Sequence, residues 1–199
     1  MDNKRKIVMV TIRGISPILF NPMTQDTLLE LAGVKGKKSS SADKERPAED
    51  RMKEKIPLEN GKVGIPVTYM NACLKQAGQE VKVAGKKIST ATTTTMYGML
   101  KVKGLFLPFT NCKPEDAALD MRRGQLQNGS KKVAVSIIRP RFDNWEIDVE
   151  VEFDPQKIDE KTLRNLFDIA GTNKGLGDFR PGTGGPFGMF EVTKFDIAA

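Results

Sequence analysis

The residues of this chain best suited to contact a ligand lie near its end, in a stretch rich in glycine. Six of the fourteen residues from Gly175 to Gly188 are glycine, and two more are proline. Glycine loses too much backbone freedom, and proline lacks the amide donor, for such a stretch to form the interior of a helix or strand. Unobstructed peptide N–H groups, together with the guanidinium of Arg180, favour phosphate as the ligand. The alternative is a turn that only packs on the sheet, with Phe179 and Phe187 filling the core.

Positive charge is concentrated in two other segments. The net charge is +7, and residues 81–114 hold six lysines and no acidic residue. Residues 121–142 hold six further basic residues and again no acidic one. Concentrated positive charge is the electrostatic footprint of a polyanion partner, so we favour a nucleic acid over the alternative of a solvated basic face.

The basic track predicted to contact phosphates combines these cations with threonine hydroxyl groups. The threonines fit an edge strand with a wet face equally well. Stacking of bases on Tyr97, Phe142 or Phe179 would add about 1–3 kcal/mol per base, and sequence preference should be weak because phosphate contacts carry little base information. The track consists of Lys82, Lys86, Lys87, Thr92, Thr94, Arg122, Arg123, Lys131, Lys132, Arg139 and Arg141.

The residue types present disfavour several kinds of catalysis. The chain has no histidine, which removes the commonest general acid–base group and metal ligand. It has no P-loop motif, and the glycine-rich stretch precedes a strand instead of opening a helix, as a dinucleotide fingerprint would. Cys73 and Cys112 are too few for a zinc site or a disulfide framework, so we predict free thiols, with a disulfide between them left open. We therefore predict a binding protein with no catalytic residue, metal or cofactor.

No apolar run approaches the roughly 20 residues needed to span a bilayer. The apolar segment near the N-terminus is too short for a signal peptide. We accordingly expect a cytoplasmic protein without a membrane partner.

The first half of the chain is predicted to form a strand, two helices and a second strand. Residues 6–12 are a continuous apolar run, typical of a central strand covered on both faces. Residues 24–32 indicate a short helix, and residues 66–79 an amphipathic one with apolar side chains three and four positions apart. Residues 97–109 are predicted to form a strand. Residues 35–60 hold almost nothing to bury and are predicted to be a mobile surface insertion.

The second half is predicted to form a hairpin, a helix and a last strand. Residues 132–140 and 145–153 are the predicted strands of the hairpin. The second of these alternates apolar and acidic residues with a period of two, so one face should be buried and the acidic face should point away from a polyanion. A helix capped by Asp159 and stopped by Gly171 follows, and residues 189–197 form the last strand.

Without two insertions, at about residues 18–63 and 110–130, the elements follow the order strand, helix, strand, strand, helix, strand. This is the βαββαβ plan of ferredoxin-like and RRM-like folds, which belong to the α+β class. The length of 199 residues fits a single domain over residues 1–199.

Three patches of sequence resemble the RAMP superfamily of CRISPR-associated RNA-binding proteins, especially the backbone subunits that polymerise along guide RNA. The patches are VMVTIRGISPILFN in the first strand, GIPVTYMNACLKQAGQ at the amphipathic helix, and IAGTNKGLGDFRPGTGGPFGMFEV at the glycine-rich stretch. A stand-alone phage relative that binds single-stranded DNA fits these patches equally well.

The resemblance implies that the glycine-rich loop touches the nucleic-acid backbone and that copies line up as a homo-oligomer on single-stranded RNA or DNA. Two alternatives remain. One is a RAMP-type ribonuclease, because Asp26 lies where a loop aspartate supports metal-dependent cleavage in some members. The other is a protein-interaction module that mimics a CRISPR subunit. The loop contacts implied by the resemblance are Lys174, Gly175, Gly177, Arg180, Gly182, Gly184 and Gly185.

Overall fold

The computed structural model describes residues 5–36, 46–128 and 131–198, with Leu126, Asn128 and Lys131 described by their backbone alone. The strands are β1 (Lys6–Gly14), β2 (Ile18–Leu19), β3 (Leu58–Glu59), β4 (Lys62–Pro66), β5 (Lys82–Val83), β6 (Lys86–Lys87), β7 (Leu100–Val102), β8 (Phe106–Pro108), β9 (Ala118–Asn128), β10 (Lys131–Phe142), β11 (Glu146–Phe153) and β12 (Phe190–Ile197). The α-helices are α1 (Gln25–Leu31), α2 (Ala48–Lys53), α3 (Val67–Ala77), α4 (Met96–Met99) and α5 (Glu160–Ile169).

The central element is an antiparallel sheet of four strands in the order β12-β1-β11-β7. The side chains of Val8, Val10 and Ile12 on β1 are fully buried, and so are the apolar residues of β11 that alternate with acidic ones. Helices α3 and α5 contribute their apolar faces to the same core. The chain is therefore a mixed α/β protein with antiparallel sheets and few helices, as expected for the α+β class.

The predicted central strand is covered on one face, not on both. Ile7 and Met9 on β1 are 37% and 39% exposed, whereas the residues between and after them are buried. A continuous apolar run does not distinguish these cases, because β1 keeps apolar side chains on its open face as well. The alternation predicted for residues 145–153 is confirmed, since the acidic side chains of β11 lie on that open face.

The predicted hairpin between residues 132–140 and 145–153 is wrong. Strand β10 pairs with β9, from Lys131 opposite Asn128 to Arg141 opposite Ala118, in a second sheet of order β2-β10-β9. Strand β11 pairs with β1 and β7 instead. Alternation identifies a strand but not its partner, and β9 is joined to β10 by a two-residue connection, the shortest route to antiparallel pairing.

Two other segments differ from their predictions. Residues 97–109 divide into part of α4 and the strands β7 and β8, because Gly104 turns the chain with a φ of 81°. Within the predicted insertion, residues 46–60 form α2 and β3, and Met52 on α2 is only 5% exposed. This part of the insertion is packed, and residues 37–45 lie outside the described residues.

The C-terminal helix begins as predicted but ends later. Asp159 caps α5 by accepting a hydrogen bond of 2.8 Å from the Thr162 amide. Gly171 does not stop the helix, which continues as a π-helical turn, Ala170–Lys174, until Gly175 adopts a φ of 67°. A Cβ at Gly171 would lie 2.1 Å from the Phe190 carbonyl oxygen, so the glycine lets β12 approach the turn closely. The glycine-rich loop begins directly after this turn.

None of the described helices is long and apolar enough to cross a membrane. Cys73 and Cys112 are free thiols, Cys73 buried and Cys112 half-buried.

Candidate nucleic-acid interface

The glycine-rich loop, Gly175–Gly188, lies against the segment that follows β1. The Gly188 amide donates to the Pro17 carbonyl at 2.7 Å, and the Asp178 amide donates to the Leu19 carbonyl at 2.7 Å. The loop is thus tied to the body of the protein at two separate points.

Several loop glycines are required by the packing of the loop itself. A Cβ at Gly185 would lie 1.9 Å, and one at Gly188 1.8 Å, from a carbonyl oxygen of the same loop. Gly182 and Gly184, in contrast, are exposed to solvent. Some glycines of the loop are therefore needed for its close packing, and others are accessible to a ligand.

Most candidate amide donors of the loop are already used within it. The amides of Gly175, Gly184 and Gly185 donate to nearby carbonyl groups at 2.8 to 3.0 Å. Among the loop residues, all of which the structure describes, the amides of Gly177, Arg180 and Gly182 have no acceptor. These three amides, and not the whole loop, are the ones available to a phosphate.

Gly177 and Arg180 line a cleft of about 230 Å³ between the loop and α3. We name this the Tyr69 cleft, and it is lined by Tyr69, Ala72, Gly175, Leu176, Gly177 and Arg180. Burial, and secondly the negative charge of Asp178, raises the pKa of Tyr69 above its usual value. The Tyr69 hydroxyl therefore stays protonated at neutral pH and can donate a hydrogen bond to an anion.

The Arg180 guanidinium is held in place beside α3. Its Nη1 donates to Gln76 Oε1 at 3.0 Å and to the Lys174 carbonyl at 3.4 Å. A guanidinium has five N–H donors, so two bonds from one nitrogen leave others for a ligand. Arg180 is thus positioned in advance for an anion in the Tyr69 cleft.

Phe179 combines strained backbone with a partly exposed ring. Its φ of 50° is rare for a bulky residue, and such strain is concentrated at ligand-binding positions. Its ring is 37% exposed and lies 6.0 Å from the ring of Phe187, which is buried. Of the other stacking candidates, Tyr97 is 58% exposed, but Phe142 is 1% exposed and cannot stack on a base.

Arg122 on β9 and Arg139 on β10 form ion pairs with nearby carboxylates. Arg139 Nε donates to Asp178 Oδ2 at 2.8 Å, and Arg139 Nη1 lies 4.0 Å from Asp120 Oδ1. Arg122 Nε donates to both carboxylate oxygens of Asp120, and its guanidinium lies 4.7 Å from the centre of the Phe187 ring. Arg139 is buried, so a structural role suits it better than contact with a nucleic-acid strand.

Other cations on β9 and β10 are more accessible. The side chains of Arg123 and Lys132 are exposed. Arg141 is half-buried and forms hydrogen bonds of 2.7 and 3.2 Å to the Asp143 carboxylate. The side chain of Lys131 lies outside the described residues.

The lysine hairpin, β5 with β6, presents three exposed cations. Its turn is Ala84-Gly85, with φ of 48° and 80°, the positive values that a two-residue hairpin turn requires. Lys82 lies directly opposite Lys87 in the register. Like charges in this position repel each other, so an anion beside them would be stabilising.

Glu80 connects the lysine hairpin to the glycine-rich loop. Its carboxylate forms an ion pair with Lys174 and accepts a hydrogen bond of 2.7 Å from Asn173 Nδ2. The Lys174 hydrogen bond, with smaller contributions that include the charge of Lys87, lowers the pKa of Glu80. The charge of Lys174 is therefore partly neutralised by Glu80.

The threonine stretch is a hydrogen-bonded turn. Thr94 Oγ1 lies 2.7 Å from Ser89 Oγ and accepts from the Met96 amide at 3.1 Å. Thr92 is exposed, so its hydroxyl is more accessible than that of Thr94, the other threonine of the predicted track.

The structure brings part of the predicted set to the loop, which Arg139 and Arg122 contact. Arg123 and Lys132 lie on the opposite face of β9 and β10, because side chains alternate along each strand. Glu80, two residues before the lysine hairpin, pairs with Lys174 next to the loop.

The open face of the central sheet, where RRM proteins stack RNA bases, instead carries the acidic side chains of β11. The Asp148 and Glu150 carboxylates disfavour nucleic acid over the middle of β11, whereas Glu152 near its end is paired with Arg5 and Lys103.

Sequence reasoning missed Tyr69 and Gln76 as members of the site. Both lie on α3, on the side turned toward the loop, with Ala72 between them at helical spacing. Their three- and four-residue spacing, beside the apolar face predicted to be buried, was the available signal.

Asp26, the aspartate of the ribonuclease alternative, takes part in an ion pair. Its carboxylate pairs with Lys35 Nζ at 2.9 Å. Within the described ranges, no group of three or more cysteine, aspartate or glutamate side chains is placed to hold a metal ion.

Comparison with known proteins supports the fold. No protein-family model matches the chain, and no curated protein matches it. Thirty-eight chains of solved structures do match. One belongs to the cryo-EM structure of the type III-B Cmr-beta bound to cognate target RNA, with a TM-score of 0.51 and 13% identity, over 98% of this chain and 61% of that one. The two chains share a fold. This chain spans about three fifths of the length of that neighbour.

Proposed function

We propose that this protein is a RAMP-like module that binds single-stranded RNA or DNA mainly through its phosphates. The observation that carries the proposal is the Tyr69 cleft, where a fixed guanidinium, a protonated phenol and two amides without acceptors converge. Exposed cations of the lysine hairpin and of β9 and β10 add further positive charge to the surface. Together with Arg180, these cations offer a single-stranded nucleic acid more than one cationic contact.

The fold supports this proposal from a second direction. We propose a ferredoxin-like core on the basis of the strand order β12-β1-β11-β7 and of the apolar faces that α3 and α5 contribute to the core. The likeness to a chain from an RNA-bound assembly makes RNA the first ligand to test. Self-assembly along the strand is part of the same proposal.

Binding fits the groups near the Tyr69 cleft better than hydrolysis does. The two carboxylates next to it, Asp178 and Glu80, are engaged by Arg139 and Lys174. Neither is therefore arranged to act as a free general base. We propose that the protein is not a ribonuclease, and labelled RNA kept with the protein and Mg²⁺ should stay intact.

The direct test is binding of fluorescein-labelled 12-nucleotide RNA and DNA at 50 to 300 mM salt, read by anisotropy. For single strands the slope of log K against log salt is about −0.7 per neutralised phosphate. We expect a clear negative slope, reduced when Lys82, Lys86 and Lys87 are replaced by Gln. Gln at Lys62, Lys161 and Lys194, which are exposed on β4, α5 and β12, is the matched control because it also removes three charges. Affinity that does not depend on salt would contradict the proposal.

A further inference from the structure

A second cleft lies on the other side of α3, at the edge of the central sheet. Its volume is about 460 Å³, and it lies between Val67 and Asn71 of α3 and the edge strand β7. Tyr97 from α4 and Lys101 from β7 line it as well, and Arg5 reaches it from the start of β1. We name it the Tyr97 cleft. None of these residues belongs to the basic track or the glycine-rich loop.

The Tyr97 ring is a rigid platform at the mouth of this cleft. Met96, next to it on α4, is fully buried and anchors the helix. The Met99 carbonyl accepts from the Asp154 amide at 2.8 Å, and the Gly98 carbonyl accepts from Lys157 Nζ at 3.1 Å. The helix that carries Tyr97 is therefore fixed, while the ring itself is 58% exposed.

The cleft offers an apolar floor and a surplus of positive charge. Leu100 and Val102 line it and are otherwise buried. Glu152 is the acceptor for two cations, Arg5 Nη1 at 3.2 Å and Lys103 Nζ at 2.6 Å. Lys101, opposite Glu152 in the register, adds a third cation on the same edge. Glu152 thus lies beside three cations, and the charge of Glu150 also acts on Lys103.

We propose that the Tyr97 cleft binds one nucleotide of the same strand that contacts the glycine-rich loop. The base stacks on Tyr97 over the apolar floor, the Asn71 amide contacts the base edge, and Lys101 with Arg5 holds the phosphate. Aromatic stacking combined with a nearby cation is the combination that single-strand binders use without strong sequence preference. The inference rests on the proposed function and adds a second subsite to it.

Helix α3 connects the two clefts. Asn71 lines the Tyr97 cleft, and the next residue, Ala72, lines the Tyr69 cleft. A helix with its side chains is about 10 Å wide, so a strand that contacts both clefts must pass over the outward side of α3, along a path longer than that width. The outward side of α3 between the clefts carries Thr68 and Lys75, which do not obstruct such a path with bulky apolar groups.

The test compares a 4-nucleotide with a 12-nucleotide RNA of one repeated base, binding the full-length protein at fixed salt. The longer RNA reaches both clefts and should bind wild type more tightly than length alone explains. Tyr97→Ala and Lys101→Ala should each weaken binding of the 12-mer at least fivefold and leave the 4-mer within twofold. Tyr97→Phe retains the ring and should match wild type, and Lys194→Ala controls for loss of a charge. Thermal melting of each variant checks that it is folded.

The outcomes separate the two proposals. If wild type binds neither RNA, the proposed function itself fails. If wild type binds both and Tyr97→Ala binds the 12-mer as wild type does, only the Tyr97 cleft assignment is overturned. Photo-crosslinking of a 12-mer that contains 4-thiouridine provides a second readout. A crosslink on the peptide that contains Tyr97 supports the assignment, and crosslinks confined to the glycine-rich loop and the lysine hairpin overturn it.

Discussion

Arg139 Nε donates a hydrogen bond of 2.8 Å to Asp178 Oδ2, and this contact joins strand β10 of the second sheet to the glycine-rich loop. The Arg139 side chain is 9% exposed, and Asp178 is 37% exposed. Asp120, which Arg139 also approaches, is held separately by Arg122. The position of the loop therefore depends on a mostly buried ion pair as well as on its glycines.

We predict that Arg139→Met lowers the free energy of unfolding by about 3 kcal/mol. Removing one partner of a buried ion pair leaves the other charge uncompensated, which usually costs about 3–5 kcal/mol, and the partial exposure of Asp178 reduces that cost. Arg141→Met is the matched control, because its pair with Asp143 is much more exposed and should cost less than about 1 kcal/mol. Urea denaturation measures both. Equal losses for the two variants would contradict the structural role of Arg139.

The second prediction concerns which glycines the loop needs. Gly188→Ala should cost more than about 2 kcal/mol, because its φ is 69° and the added Cβ would lie 1.8 Å from the Leu176 carbonyl oxygen. Gly184 has a φ of 83° but open space around it, so Gly184→Ala should cost about 1 kcal/mol from backbone strain alone.

The control for these two variants is Gly98 in α4. A Cβ added at this position would meet no atom within 4 Å, and the φ of Gly98 is not positive. Gly98→Ala should be neutral or stabilise the protein by up to about 1 kcal/mol, because alanine favours helix. The ranking by urea denaturation is the measurement, and a Gly188 variant as stable as the Gly184 variant would show that the loop tolerates rearrangement.

The parts of the fold that follow from local patterns were predictable from sequence. The period-two alternation in β11 requires one buried face, and the Asp159 carboxylate suits a helix cap whatever surrounds it. The helix before Gly78 follows from apolar spacing in the same way. Each of these depends on residues close together in the chain.

The parts that depend on distant partners were not predictable. Nothing in residues 132–140 shows that they pair with β9, since both β9 and β11 carry apolar residues at suitable positions. Tyr97 follows the apolar Met96, and Phe142 lies between the charged Arg141 and Asp143, yet Tyr97 is exposed and Phe142 is buried. Asp178 resembles a turn residue in sequence, and only the tertiary structure brings Arg139 to it.

The third prediction concerns the buried thiol under the π-helical turn. Cys73 Sγ donates to the Gly175 carbonyl at 3.2 Å. Burial raises the pKa of Cys73 from 9.0 to about 12, against the opposing charges of Arg180 and Lys174. At pH 8 Cys73 should therefore resist iodoacetamide in the folded protein. Cys112 is half-buried, and burial raises its pKa to about 11, so it should react slowly but before Cys73.

The same pKa shift predicts how stability depends on pH. Because the folded protein favours the neutral Cys73 thiol, its contribution is complete below about pH 9 and is lost as the pH rises toward 12. Cys73→Ala should be less stable than wild type at pH 8 by about 1–2 kcal/mol and should lose less stability than wild type between pH 8.5 and pH 10.5. Parallel pH profiles for the two proteins would show that Cys73 does not ionise on unfolding in this range.

The last prediction separates the accessible cations from the structural ones by their effect on nucleic-acid binding. Arg123→Ala and Lys132→Ala remove exposed charges from β9 and β10, so each should weaken binding of a 12-nucleotide RNA and make the salt slope less steep by about 0.7 for each lost phosphate contact. Both variants should unfold at the same urea concentration as wild type, because neither side chain is buried.

Asp178→Asn should affect RNA binding in the direction opposite to these two variants. It removes a negative charge beside the Tyr69 cleft, so RNA should bind more tightly even though the loss of the Arg139 ion pair makes the protein less stable. An Asp178→Asn variant that binds RNA more weakly, with its fold intact, would place the strand away from this cleft.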